Sequence, residues 1–148
     1  MTQLAPEDSN FSMVELNRVE CLDLLDHARI GRVVLSVKCI PVALPVNACV
    51  IDGGVVFATD AGSKLDAAIQ GTVVSVEFDD IDRIYHTGWS VLVTGVAEVL
   101  TDPGDIARAR QLPIQPWAPG PHLFFVRVPS TVVSGRRIEW RTSPRSHV

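Results

Sequence analysis

The stretch from Arg32 to Thr59 constrains this chain most. Residues 32–37 (RVVLSV) are dominated by β-branched side chains, which suit a pleated strand better than a helix. Lys38 and Cys39 turn the chain, and residues 40–51 predict a second strand. Asp52-Gly53-Gly54 then supplies the positive-φ positions that a tight hairpin needs, and residues 55–59 return as a third strand. Pro41 and Pro45 fall inside the middle strand. Proline has no N–H to give to a ladder, so that strand must be an edge, be bulged, or leave the sheet near Pro45.

The rest of the chain fits around this unit. Residues 1–13 read as a flexible tail, followed from about Val14 by a helical pattern. Val19, Leu22, Leu25 and Ala28 recur every three positions with Glu20, Asp23 and Asp26 between them. Residues 65–69 predict a short helix ended by Gly71, and residues 72–78 a fourth strand. Asp79, Asp80 and Asp82 read as an acidic loop, and residues 89–100 as one long strand bent or bulged at Gly95. Asp102-Pro103 opens a helix to about Leu112, since proline suits a first helical turn. A proline-rich loop leads to strands near 123–128 and 134–140, and 141–148 is a second tail. The expected fold is mainly antiparallel β with short helices (α+β), a six- to seven-stranded barrel in a single domain over 14–140. Closure removes exposed sheet edges, which makes a barrel the economical solution.

Composition excludes several classes. The net charge is −4 and no dense Lys/Arg run occurs, which argues against nucleic-acid binding. No stretch approaches the roughly twenty apolar residues of a membrane span. The first residues carry no charged leader with an apolar run, and the three cysteines (Cys21, Cys39, Cys49) form no C-x-x-C pair, so a cytoplasmic location is expected. His27, His86, His122 and His147 lack metal-ligand spacing, so no metal is expected. No G-x-S-x-G nucleophile elbow is present either.

The segment VVFATDAGSKLDAA (55–68) carries the clearest chemistry. A strand delivers Thr59 into a turn, Gly62 permits tight backbone, and Ser63-Lys64 open a helix. A helix start offers unpaired N–H groups and a positive dipole end, which with an ammonium and hydroxyls makes an anion site. On spacing alone, Ser63 as a plain helix cap and Lys64 as a surface charge serve equally well.

Taken in order, Gly31-Arg32-Val33, Leu44-Pro45-Val46-Asn47, Val56-Phe57-Ala58-Thr59 with Gly62-Ser63-Lys64, and Gly88-Trp89-Ser90-Val91-Leu92-Val93-Thr94-Gly95 resemble the pyridoxamine-phosphate-oxidase-like flavoproteins. The likeness is strongest to the small actinobacterial and nitroimidazole-reductase-like branch, and it spans roughly residues 16–138. It implies a split β-barrel and a homodimer with flavin mononucleotide (FMN) at the subunit interface. By the same resemblance, Thr59, Ser63 and Lys64 hold the phosphate and the Pro45-Val46-Asn47 backbone follows the ring. Trp89 and Ser90 approach the flavin, often from the partner subunit.

The Arg-Leu-Ala-Pro ending of the oxidases proper is absent, so vitamin B6 oxidation is not implied. Some members of the family bind a deazaflavin coenzyme instead. Lys64 with Arg136-Arg137 would suit its longer anionic tail, although exposed arginines on a last strand are ordinary. His86, beside Tyr85, is the one histidine placed near a cofactor by this reading, and a solvated loop position serves it as well. The implied activity is a flavin-dependent oxidoreductase acting on a small molecule, with no catalytic residue identified. A deazaflavin-dependent reductase and a non-catalytic flavin- or ligand-binding protein are the alternatives.

Overall fold

The computed structural model describes residues 10–26, 30–60, 69–115 and 123–141. Nine strands form one sheet in the order β1-β9-β6-β5-β2-β3-β4-β8-β7, and every pairing in it is antiparallel. The strands are β1 (Phe11–Leu16), β2 (Ile30–Val37), β3 (Ile40–Ile51), β4 (Gly54–Asp60), β5 (Val73–Ile81), β6 (Gly88–Val96), β7 (Glu98–Val99), β8 (Leu123–Pro129) and β9 (Val132–Trp140). Two helices, α1 (Arg18–Leu25) and α2 (Pro103–Arg110), complete the described elements. Only Ala97 separates β6 from β7, so the sheet curls until its β7 end follows directly from β6. Residues of β6 and β8 form no ladder, and the barrel stays split.

The interior is apolar and the exterior mixed. Val33, Leu35, Ala48, Val55, Phe57, Val76, Phe78, Val91, Val93 and Val126 belong to one buried cluster drawn from six strands. Strand alternation puts these residues on one face and their neighbours outside. The clearest case is β2, which alternates buried and exposed from Ile30 to Ser36. Helix α1 joins the same cluster through Cys21 and Leu25, and its start is fixed by a reciprocal box: Asn17 Oδ1 accepts from the Glu20 N–H while Glu20 accepts from the Asn17 N–H. Helix α2 covers the outer side of β3, β4 and β8. There Cys49, Val56, Ala58, Ala109, Ile114 and Phe125 form a second buried cluster.

Residues 11–13, expected in a flexible tail, belong to β1, which begins at Phe11 and pairs with β9. Val14 lies in that strand opposite Arg137, so the helix begins at Arg18, not at Val14. Within α1, Cys21 takes the buried place expected of Val19, which is exposed. Asp79 and Asp80 are strand residues of β5, tolerated because they sit at an exposed end. Gly95 makes neither bend nor bulge and pairs regularly with Val74. It is glycine because the Pro129 carbonyl crosses where a Cβ would stand. The 65–69 helix falls largely outside the described residues.

Candidate functional site

The prolines of β3 create the opening on which the site is built. Over residues 40–47 β3 pairs with β2, and over 48–51 it pairs with β4. Beyond the Ala48–Phe57 rung, β4 stays with β8 through Ala58, Thr59 and Asp60 and parts from β3. Among the described residues a gap therefore opens between Pro41–Asn47 and the end of β4. In an antiparallel ladder both polar groups of a residue point the same way and alternate along the strand. Pro41 and Pro45, opposite Ser36 and Arg32, have no N–H and take the positions that face away from β2. Ala43 and Asn47 share that parity, so their N–H and C=O groups are directed into the gap. This donor and acceptor set fits the polar edge of a planar ring.

Beside the gap, a long-range hydrogen bond ties the exterior together. Asn47 Nδ2 donates to the Gln115 carbonyl at 2.8 Å, tying β3 to the segment that follows α2. Next to it Ile114, Gln115, Leu123 and Phe125 line a cleft of about 330 Å³. A larger cavity, about 600 Å³, lies between α2 and the sheet, with Val56, Leu100, Ala109 and Leu112 as apolar walls and Arg127 at its side.

The structure separates some of the expected site residues. Pro45 and Asn47 face outward at the gap, whereas Val46 packs against the barrel interior and Thr59 shares the inward parity of Phe57. Trp89 packs against the core, while Ser90, its neighbour, has the outward parity of Leu92 and Thr94. Strands β5 and β2 lie between β6 and β3, so one chain does not bring Trp89 or Ser90 to the Pro45–Asn47 edge through the sheet. Ser63 and Lys64 lie outside the described residues. Arg136 is exposed and opposite Ser90, and Arg137 is half-buried opposite Trp89. His86 sits exposed on the β5–β6 hairpin at φ 55°, where the Asp82 carboxylate accepts from the Ile84 and Tyr85 N–H groups. Those bonds, Tyr85's first, hold the Asp82 carboxyl below its ordinary pKa.

Two further acidic residues lie near these positions. Asp60, one residue beyond the 55–59 strand that the sequence predicts, is the last residue of β4. Glu77 sits on the outer face among Ser90, Leu92, Ser134, Arg136 and Glu15, around a hollow of about 470 Å³. Arg32 Nη1 reaches Glu77 at 3.0 Å and Asp79 at 3.1 Å. Burial, then the charge of Asp79, raises the Glu77 pKa despite the opposing Arg32. A raised carboxyl pKa means that ionisation costs the folded state: the stabilisation is complete below the unfolded pKa and is lost as pH rises through the folded one. Glu77→Gln is therefore expected to melt at or above the wild-type temperature at pH 7. That advantage should disappear on acidification below about pH 4, near the ordinary carboxyl range. Thermal melts across pH 3–8 check this, and a Glu77→Gln variant less stable at pH 7 contradicts it.

The family model described as pyridoxamine 5′-phosphate oxidase matches residues 17–137. An uncharacterised Mycobacterium tuberculosis protein is 37% identical over 139 residues, covering 90% of this chain and 91% of that one. The solved FAD-binding protein of Mycobacterium smegmatis is 36% identical, with a TM-score of 0.71 over 86% of this chain and 98% of that one. A conserved Corynebacterium diphtheriae protein of unknown function is 29% identical, with a TM-score of 0.72 over 86% and 98%. The open, split barrel defines the class. Within it, this chain belongs to the pyridoxamine 5′-phosphate oxidase family.

Proposed function

We propose that this chain is a cytoplasmic, homodimeric flavin-binding oxidoreductase, holding its cofactor through the FMN portion. The observation that carries the reading is the β3 edge at Pro45–Asn47, which among the described residues has no strand partner on the side facing away from β2, in a chain 36% identical to an FAD-binding protein of the same fold. FMN and FAD share the ring, the ribityl chain and the first phosphate, so one set of residues serves either. In this reading the Pro45-Val46-Asn47 backbone meets the polar edge of the ring, and Thr59, Ser63 and Lys64 hold the phosphate. The bound flavin supplies two-electron chemistry, while the protein orients the ring and keeps water away.

The separation of Trp89 and Ser90 from the gap is what a shared site requires, because a second copy then supplies them. Exposed apolar side chains on the outer face, Met13, Ile30, Val34, Val73 and Val132, support an interface there. Light scattering at micromolar concentration is expected to give a dimer mass, and a monomer would remove the shared-site arrangement. The activity is tested by photoreducing the flavin-loaded protein anaerobically and adding a small nitroaromatic acceptor. Reoxidation faster than that of free reduced flavin supports an oxidoreductase. Bound flavin that is slower than free flavin toward such acceptors marks a carrier that shields its ligand.

A further inference from the structure

Asp60 is the residue in this region whose chemistry the reading above leaves unused. It closes β4, opposite Leu123 of β8, and shares the outward parity of Val56 and Ala58. Its Oδ1 is fully buried and has no hydrogen-bond partner among the described residues. A buried carboxylate oxygen without a donor is costly and calls for one. Across the gap Asn47 Nδ2 is committed to the Gln115 carbonyl, and Leu123 and Phe125 on the neighbouring strand bring only hydrocarbon.

The position of Asp60 indicates which donor it meets. It lies past the last β3–β4 rung, at the mouth of the gap. In the chain it stands just before Ser63 and Lys64, and across the gap from Pro45–Asn47. A flavin has the same order: ring, then ribityl chain, then phosphate. A carboxylate repels phosphate but accepts strongly from a hydroxyl. The geometry points to Asp60 as a cofactor-binding residue whose Oδ1 accepts a hydrogen bond from a ribityl hydroxyl, an assignment that rests on the flavin reading above. The ribityl chain is common to FMN, FAD and deazaflavin coenzymes, so the assignment is independent of which one is bound.

The test is fluorescence titration of the full chain and its Asp60→Ala and Asp60→Asn variants with FMN and with riboflavin, which has the ribityl chain but no phosphate. Asp60→Ala is expected to weaken both ligands by the same factor, about tenfold or more. Asp60→Asn, which keeps an acceptor oxygen and the shape, should lose less; it also serves if the alanine variant melts early. A loss confined to FMN overturns the assignment, because Asp60 then acts on the phosphate side, and so does unchanged affinity for both. Should riboflavin bind too weakly to titrate, a Lys64→Ala cycle with FMN decides the matter. Additive losses support separate contacts, and a double variant no weaker than Lys64→Ala alone overturns them. Wild-type protein that binds no flavin of any kind removes the flavin reading itself and this assignment with it, a result distinct from the others.

Discussion

Phe57→Ala is expected to lower the unfolding free energy by about 3–5 kcal/mol, the usual cost of removing a fully buried aromatic ring. Phe57 is 1% exposed and stands at the last β3–β4 rung, opposite Ala48 on one side and Val126 on the other. Val55 and Val126 in the same cluster are fixed by their own ladders and cannot readily close on the vacated space. Against a total stability of about 5–15 kcal/mol for a domain of this kind, the loss is a large fraction. It also strikes where β4 leaves β3, so the Thr59–Asp60 end should loosen first. Urea unfolding measures the effect. Ile84→Ala, on the exposed β5–β6 hairpin, is the control and should change stability by no more than about 0.5 kcal/mol. A Phe57→Ala cost below about 1 kcal/mol would contradict the assigned core.

Lys64→Ala is expected to weaken FMN about 10- to 100-fold, the range for losing a charge-assisted hydrogen bond. Riboflavin, lacking the phosphate, should bind wild type and variant alike. Raising ionic strength should narrow the difference for FMN, since screening weakens the same ion pair. Isothermal titration with both ligands checks this. Equal affinity of wild type and variant for FMN would take Lys64 out of the phosphate site.

Local signals made much of the barrel legible. Asp52 and Gly53 adopt φ values of 47° and 71°, as the hairpin signature requires. Lys38 and Cys39 turn the preceding hairpin with φ values of 50° and 64°, although neither is a residue that favours that region. Pro41 and Pro45 announced the free edge because a missing donor has the same consequence in any fold. By contrast, β1 was hidden, since its partner β9 lies more than a hundred residues away and its own residues mix polar and apolar types. The break at Ala97 was also hidden: its N–H donates to the Thr72 carbonyl and its carbonyl accepts from Gly71, contacts set by tertiary placement.

The candidate site was legible in part for the same reason. Pro45 and Asn47 could be found from proline chemistry, whereas Asp60 is notable only because its oxygen is buried without a donor. Nothing local distinguishes Asp60 from an ordinary turn aspartate. The opposite facing of Trp89 and Ser90 follows from strand alternation. Their distance from Pro45 follows from the strand order, which only the folded sheet reveals.

Whether the split in this barrel holds a flavin is read directly by an absorbance titration of the purified apo-protein with FMN, with FAD and with a deazaflavin coenzyme in parallel. Saturable binding of FMN or FAD with one flavin per chain and a perturbed ring spectrum is the predicted result. Selective deazaflavin binding would keep the site and change its chemistry to obligate hydride transfer. Binding of none of the three would contradict the account, leaving a family fold without the cofactor proposed for it.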